Sequence, residues 1–409
     1  GKKSYLNCAY MSPMLKKVEK AGIKGLRLKR KPHKLLPEDF FLGVKKLKTH
    51  FAKLINTDEI ERVALCSSVS YGMANVTNNI TMKPSENVVV VGDQFPSNVY
   101  PWMELTKKYK AELNVIKKPK VNNGAGKLWN DEIIKAINKK TKVISLGMVH
   151  WADGTIFDLK KIREKTLNVG ALLIVDGTQS VGTMPFNVSK IKPDALICAG
   201  YKWLMGPYGC GISYFGKAFD NGKPVEESWI NRKNSEDFSQ LINYQDNYGE
   251  LARRYSVGQQ SNFINVEMLS AGINQINKWG VDNIYEYIES ITNPCFDEDW
   301  LNSQYEKIEY ANNTLQMIYV ENFRKVLKKV IDLDKLMRLI ILRKANPHQI
   351  SQLYQSLQEC SQLMNSLKSF PDYEILVSGM DQLQTNCNDC LKVISQHLQL
   401  NIIDQCSPS

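Results

Sequence analysis

Two apolar segments that each lead into a polar residue constrain this chain most strongly. Residues 172–175 are apolar, and Asp176 follows them directly. Residues 195–198 are apolar as well, and Lys202 follows within a glycine-rich turn. Runs of this length are typical of buried strands in a parallel sheet. Because the carboxyl ends of neighbouring parallel strands meet at one edge of an open α/β sheet, we expect a carboxylate and an amine at a common site.

The pattern between residues 60 and 215 supports such a sheet, because strand-like and helix-like segments alternate there. Asn130 is expected to cap one of the helices, with acidic residues in the first turn after it. Strands separated by helices predict an α/β fold with a doubly wound sheet and helices on both faces. Strands are predicted at 88–91, 111–116, 142–148, 171–175, 195–199 and 211–215, and helices at 97–110, 130–139 and 158–168.

The pattern changes beyond about residue 290. Pro294 is expected to break the preceding helix, and residues 291–304 are predicted to form a linker. Helical spacing dominates residues 305–409, where a further helix is expected to start at Asn346. We therefore predict two domains, an α/β domain over residues 1–290 and an all-α region over 305–409.

Positive charge is concentrated at the start of the chain. The whole chain carries a net charge of +11, and residues 1–53 alone hold 15 Lys and Arg against 3 Asp and Glu. A basic segment of this kind suits nucleic acid or an acidic partner. A solvated face and a flexible arm is the plainer interpretation, because the basic segment over residues 16–53 has only Phe40, Phe41 and Phe51 to stack on bases.

The cysteines and the start of the chain bear on location. Nine cysteines are scattered, and the closely spaced pair Cys387 and Cys390 is weak evidence for a metal site. Free thiols in a reducing cytoplasm are the simpler account, so no metal is expected.

No apolar run reaches the roughly 18 residues of a membrane span. The chain begins at Gly1 without an initiator Met or a signal segment, so we expect a processed or partial chain.

The carboxylate and the amine together suit the chemistry of pyridoxal phosphate. Lys202 has apolar neighbours, so we expect a lowered pKa that frees its lone pair for a Schiff base with the cofactor aldehyde. Asp176 is expected to be buried, where it needs a cation such as a protonated pyridine nitrogen. The alternatives are a surface lysine and a helix cap, and the apolar flanks of both residues make these less fitting.

Residues 1–290 resemble the class V aminotransferase family, whose members share fold type I of the pyridoxal phosphate enzymes. The resemblance is strongest at 171–216, where Asp176, Gln179 and Lys202 keep the spacing of the family. Cysteine desulfurases, selenocysteine lyases and kynureninases are relatives. The resemblance implies a transferase or lyase that uses pyridoxal phosphate and acts on an amino-acid-like substrate.

The resemblance also assigns roles to individual positions. It places Ser70 at the cofactor phosphate, at a helix N-terminus whose free backbone N–H groups suit a dianion. It places Phe95 over the pyridine ring, with burial in the core as the alternative, and the Gln179 amide near the phenolic oxygen. Tyr201 stands where many relatives have a histidine. Gln259 occupies the position that reaches into the partner subunit's phosphate site, which implies a homodimer.

Two features leave the activity open. The small C-terminal domain of the family, which supplies an arginine for the substrate carboxylate, is not recognisable in the sequence. Instead, residues 305–365 resemble the helical core of DNA mismatch-repair MutS proteins, without a Walker-type glycine loop after them. The alternatives are therefore a pseudoenzyme or interaction protein that binds the cofactor, and an accessory protein of DNA repair. Residues 305–409 hold 11 basic and 11 acidic residues, which argues against strong contact with nucleic acid.

Overall fold

A mixed sheet organises the first part of the chain, which the computed structural model describes over residues 5–121 and 124–292. The strand order is β1-β7-β6-β5-β4-β2-β3. Neighbours from β3 to β6 pair in parallel, whereas β7 pairs antiparallel with both β6 and β1. The predicted sheet, mostly parallel, is therefore confirmed. Its strands are β1 Val63–Cys66, β2 Asn87–Val91, β3 Glu112–Ile116, β4 Thr141–Gly147, β5 Leu172–Asp176, β6 Ala195–Ala199 and β7 Gly211–Phe215.

Helices cover both faces of this sheet, as predicted. Successive strand residues point to opposite faces. Ile144 of β4 belongs to one apolar cluster with residues of α2, α5, α6 and α8, whereas Val143 belongs to a second cluster with residues of α3 and α4. Two apolar layers therefore bury the central strands from both sides. The helices are α1 Lys16–Leu28, α2 Asp39–Leu54, α3 Val69–Thr77, α4 Tyr100–Tyr109, α5 Ala125–Ala136, α6 Leu159–Val169, α7 Val188–Ile191, α8 Asn265–Trp279 and α9 Val281–Thr292.

The predicted start of one helix is wrong. Helix α5 begins at Ala125 rather than after Asn130, because Gly124 supplies the left-handed backbone conformation (φ 72°) at its N-terminus. Asn130 lies in the second turn and is 8% exposed. Its Oδ1 accepts a hydrogen bond from the Asp158 backbone N–H at 2.9 Å. A residue type common at caps is used here to connect α5 with the start of α6.

The basic start of the chain is not a flexible arm over most of its length. Helices α1 and α2 both pack against α8. The approach is close, since a Cβ added at Gly25 would lie 2.1 Å from the Phe263 backbone oxygen. Lys48 of α2 is buried, with Nζ 3.8 Å from a carboxylate oxygen of Glu61, and burial lowers its pKa to about 8. The expectation of an arm is therefore wrong for these two helices.

The chain divides into two compact units at Thr292, and the second unit is helical where it is described. Helix α10 spans Pro347–Leu367 and starts beside Asn346, as predicted, with the Asn346 Oδ1 accepting from the Gln349 N–H at 2.9 Å. Helix α11 spans Met380–His397. No helix among the described residues is long and apolar enough to cross a membrane. The described positions of this unit are 345–367, 380–397, 326, 329, 330, 333, 336 and 340.

Part of the domain prediction lies outside the described residues. This holds for Pro294, for residues 293–304 of the predicted linker and for most of the segment that resembles MutS. The boundaries predicted for the linker and the helical region therefore stay predictions.

Replacing Gly25 with alanine tests the close packing of α1. Alanine normally stabilises a helix interior by about 0.5–1 kcal/mol relative to glycine. At Gly25 the new Cβ meets a backbone oxygen, which cannot rotate away. We expect Gly25→Ala to lower the free energy of unfolding in urea by about 1–3 kcal/mol, as overpacked sites do. Gly126→Ala is the matched control, because its Cβ meets only the Thr155 methyl at 3.3 Å. Equal stabilisation by both substitutions contradicts the close packing.

Candidate active site

The carboxyl edge of the sheet carries the two polar groups that the sequence predicts there. Asp176 is the last residue of β5, beside the parallel strand β6. Lys202 lies three residues beyond the end of β6, in a turn closed by a 2.8 Å hydrogen bond from Gly206 N–H to the Gly200 oxygen. A Cβ at Gly200 would lie 2.3 Å from the Cys210 carbonyl oxygen, so this turn requires glycine.

One cavity of about 260 Å³ brings most of the predicted residues together. Asp176 and Lys202 are 9% and 7% exposed in its wall. Gln259 is exposed and lines a different cavity. Six of the seven predicted site residues therefore share one site, namely Ser70, Phe95, Asp176, Gln179, Tyr201 and Lys202.

Asp176 is a buried carboxylate that is held by the turn directly after it. Its Oδ1 accepts a hydrogen bond from the Thr178 backbone N–H at 3.0 Å. Burial raises the pKa of Asp176, and the hydrogen bonds from Thr178 and the attraction of Lys202 reverse this only in part. A cation within hydrogen-bond reach stabilises a carboxylate in such a place. The protonated ring nitrogen of pyridoxal phosphate fits this requirement.

Lys202 has the properties of a nucleophilic amine. Burial lowers its pKa, and the attraction of Asp176 opposes the shift. Its Nζ lies 5.4 Å from the Phe95 ring centre and 5.9 Å from the Tyr201 ring centre. A lysine in apolar surroundings spends more time neutral, and only the neutral amine attacks an aldehyde.

Aromatic side chains form a wall of the cavity. Phe95 packs edge to face on Trp151 with ring centres 5.4 Å apart, so it lines the cavity rather than filling the core. The Trp151 indole N–H donates to the Asp93 backbone oxygen at 2.6 Å, which fixes the ring. Tyr201 packs on Tyr208 with ring centres 4.7 Å apart. Flat rings of this kind suit a flat heteroaromatic cofactor.

The first turn of α3 supplies the polar groups that suit a phosphate. Ser68 caps this helix, and its Oγ accepts from the Tyr71 N–H at 3.1 Å. Ser67, Ser68 and Ser70 line the cavity together with Gln94. Within the described part of the chain, the buried Gln94 Nε2 has no hydrogen-bond partner. Free donors beside a helix N-terminus fit an anionic group.

Gln179 is held more firmly than the resemblance implies. Its Nε2 donates to the Ala9 backbone oxygen at 3.0 Å, and its Oε1 accepts from the Trp203 indole N–H at 3.0 Å. One amide hydrogen therefore stays available to a ligand in the cavity. The link to Ala9 also makes the start of the chain part of the site.

Three residues of the site were not predicted from the sequence as site residues. Thr178 donates to Asp176, and a hydrogen bond two residues after an aspartate is a frequent turn pattern that gives a usable signal. Trp151 lies in the wall of the cavity beside Phe95, a contact that becomes evident only in the folded chain. Gln94 carries no local signal, because its unpaired Nε2 becomes evident only in the folded chain.

The raised pKa of Asp176 predicts an unusual effect on stability. The folded chain keeps this proton to a higher pH than the unfolded chain, whose pKa lies near 3.8. Stability is therefore lost as the pH rises through the raised pKa. We expect Asp176→Asn without cofactor to be more stable than the parent at pH 7, by about 1–3 kcal/mol. Thermal unfolding of the cofactor-free chain at several pH values measures this.

Asp153→Asn is the control with the opposite sign. Burial raises the pKa of Asp153, but hydrogen bonds from Lys118 and Thr155 outweigh burial and lower it below its usual range. Its stabilisation is present above the ordinary pKa and lost as the pH falls, so the asparagine variant should be less stable at pH 7. Loss of stability in both variants refutes the account of Asp176.

Comparisons with known proteins agree with this geometry. The family model described as "Aminotransferase class-V" matches residues 29–313. The uncharacterized aminotransferase YcbU of Bacillus subtilis is 29% identical over 245 residues, 60% of this chain and 61% of that protein. A probable cysteine desulfurase of Pyrococcus abyssi is 30% identical over 235 residues, 57% of this chain and 56% of that protein. A C-DES mutant with glycine covalently linked to its pyridoxal phosphate cofactor has a TM-score of 0.60 at 16% identity, over 70% of this chain and 74% of that one.

These matches bear on the predicted fold, cofactor and class of enzyme. The chain spans 61% and 56% of the length of the two curated relatives, and the structural likeness confirms the predicted fold. The family match ends at residue 313, so neither the resemblance to MutS nor the alternatives of a pseudoenzyme and a DNA-repair protein gain support. Family membership supports pyridoxal phosphate as the cofactor and the predicted class of transferase or lyase. This chain belongs to the class V aminotransferase family.

Proposed function

We propose that this chain is a pyridoxal phosphate-dependent transferase or lyase that acts on an amino-acid-like substrate. The observation that carries the proposal is the shared cavity of Lys202 and Asp176, an amine and a carboxylate both almost wholly buried. A buried amine and a buried carboxylate need two different partners from one ligand. An aldehyde can condense with the amine, and a protonated ring nitrogen can pair with the carboxylate. Membership in the class V aminotransferase family supports the same chemistry.

Each residue of the site has a task in this proposal. Bound pyridoxal phosphate supplies an aldehyde that condenses with amines and a protonated ring that withdraws electrons from the substrate. Lys202 Nζ holds the cofactor and, once free, accepts and returns a proton as a neutral amine. Asp176 keeps the proton on the ring nitrogen, and its burial strengthens that interaction. Phe95 covers the ring, and Ser70 with the first turn of α3 binds the phosphate.

The described wall of the cavity holds no arginine that could bind a substrate carboxylate. Among the described residues that line it, Lys202 is the only cation. A substrate carboxylate usually needs a fixed guanidinium, which forms two parallel hydrogen bonds. We therefore place that group elsewhere in the assembly and leave the amino-acid side chain unspecified.

Cofactor attachment to Lys202 tests the proposal directly. The full chain with pyridoxal phosphate should show visible absorbance, and borohydride should fix the cofactor to a peptide that contains Lys202. Lys202→Ala should abolish both the absorbance and the labelled peptide, because no other lysine lines the described cavity. Lys190→Ala, at an exposed lysine of α7, is the matched control and should behave like the parent. Labelling that persists in Lys202→Ala overturns the proposal.

We also propose the predicted domain division, the linker at 291–304 and a cytoplasmic location. The change of compact unit after Thr292 supports the division.

The seven cysteines in the described part of the chain are free thiols, which supports the proposed location in a reducing compartment. The proposal does not extend to nucleic acid, because the balanced charge of residues 305–409 offers no excess of cations for phosphates.

A homodimer completes the proposed function. Gln259 is exposed and lies outside the Lys202 cavity of its own chain, which supports its predicted reach into a partner's phosphate site. The neighbouring loop is held in place, since the Gly258 N–H donates to the Glu226 Oε2 at 3.0 Å.

Subunit mixing tests the shared site. Gln259→Glu places a negative charge near the phosphate and should weaken cofactor binding, while Lys202→Ala prevents covalent attachment. The heterodimer purified from co-expressed subunits that carry one change each should recover attachment at about half of its sites, because one of its two sites then holds both native residues. Attachment that stays at the level of the two separate variants contradicts a site shared between subunits.

A further inference from the structure

The N-terminal helices carry a cluster of cations that the proposed active site does not use. Five exposed basic side chains line one cavity of about 540 Å³. None of the five forms an ion pair with a carboxylate in the part of the chain that the structure describes. Two carboxylates, Asp39 and Glu267, also line the cavity and leave most of this charge unbalanced. The five cations are Lys24, Arg27, Lys31, Lys34 and Lys46.

The floor of this cavity is apolar. Leu42 and Leu28 line it and are 58% and 38% exposed, so both leave apolar surface open to a ligand. Phe40 packs edge to face on Phe263 and on Phe238, with ring centres 5.3 and 5.5 Å apart, so the rings beneath the floor are fixed. An apolar recess with a rim of unpaired cations is the result.

The walls of the recess are rigid. Helices α1 and α2 converge on the start of α8, where a Cβ at Gly25 would lie 2.1 Å from the Phe263 oxygen and one at Gly43 3.1 Å from the Glu267 Oε1. We name this recess, with its five cations, the basic groove.

We propose that the basic groove binds an acidic amphipathic helix of a partner protein. Such a helix carries apolar residues at i, i+3, i+4 and i+7 on one face, which suits a preformed apolar floor between two helices. Carboxylates on its flanks meet the cationic rim. Exposed ion pairs are individually weak, so the floor supplies affinity while the rim selects acidic partners and speeds association.

Two other anionic partners fit the groove less well. A nucleic acid gains nothing from an apolar floor, and the rings of Phe40 and Phe263 pack on each other rather than standing free to stack on bases. A membrane surface binds apolar groups that protrude into it, whereas the apolar groups here line a recess.

Fluorescence anisotropy with designed peptides tests the proposal on the full chain. The probe is a labelled peptide of about 20 residues, long enough to form a helix, with Leu at the four spaced positions and Glu on the flanks. A matched peptide carries Lys in place of Glu. We expect the Glu peptide to bind about tenfold more tightly than the Lys peptide at physiological ionic strength. Equal affinities overturn the proposal.

Charge-reversal variants distinguish binding in the basic groove from attraction by the net positive charge of the chain. The triple variant K24E/R27E/K31E should weaken binding of the Glu peptide by about tenfold or more and favour the Lys peptide. The control K107E/K139E/K140E changes the net charge equally at exposed lysines outside the groove and should bind like the parent. Leu42→Asp should abolish binding by placing a carboxylate in the floor.

Three further results overturn the proposal. The first is an equal loss of affinity for the Glu peptide in the two triple variants, and the second is unchanged binding of that peptide by Leu42→Asp. The third is that duplex DNA or anionic phospholipid vesicles bind more tightly than the Glu peptide and that K24E/R27E/K31E abolishes this binding. Circular dichroism and the absorbance of the bound cofactor at Lys202 verify that each variant is folded. The failure of the groove would leave attachment at Lys202 intact, so the two proposals fail separately.

Discussion

Asp176 and Lys202 are both buried in the wall of one cavity at the carboxyl edge of the sheet. Removing a carboxylate and an amine from water is unfavourable unless the groups gain partners, and the raised pKa of Asp176 and the lowered pKa of Lys202 record that imbalance. The buried strands β4, β5 and β6 hold both groups at one edge of the sheet. The apolar layers on both faces supply the stability that this edge lacks.

Close backbone contacts give the edge its shape. The turn that carries Lys202 depends on Gly200, where a Cβ would lie 2.3 Å from the Cys210 carbonyl oxygen. The start of the chain closes on the same turn, because the Ser12 N–H and Oγ both donate to the Tyr201 oxygen at 3.2 Å. The site is thus fixed from the sheet below and from a segment nearly 200 residues earlier in the sequence.

Local patterns predicted the parts of the structure that depend on local physics. Apolar runs located strands such as β5 and β6 within one residue, because a buried strand has to be apolar on both faces. Asn130 misled because a cap residue and a buried hydrogen-bond acceptor look alike in sequence. The packed N-terminal helices were missed because their charge concealed the faces that meet α8. Gln94 and the basic groove arise from tertiary packing, which no short segment encodes.

A crystal structure of the full chain with pyridoxal phosphate tests whether Asp176 and Lys202 hold this cofactor. We expect continuous electron density from Lys202 Nζ to the cofactor, with the ring nitrogen within hydrogen-bond distance of Asp176. We also expect the Phe95 ring over the pyridine and the phosphate at the first turn of α3. A cofactor bound elsewhere, or a bound ring whose nitrogen lies away from Asp176, would contradict these roles of Lys202 and Asp176.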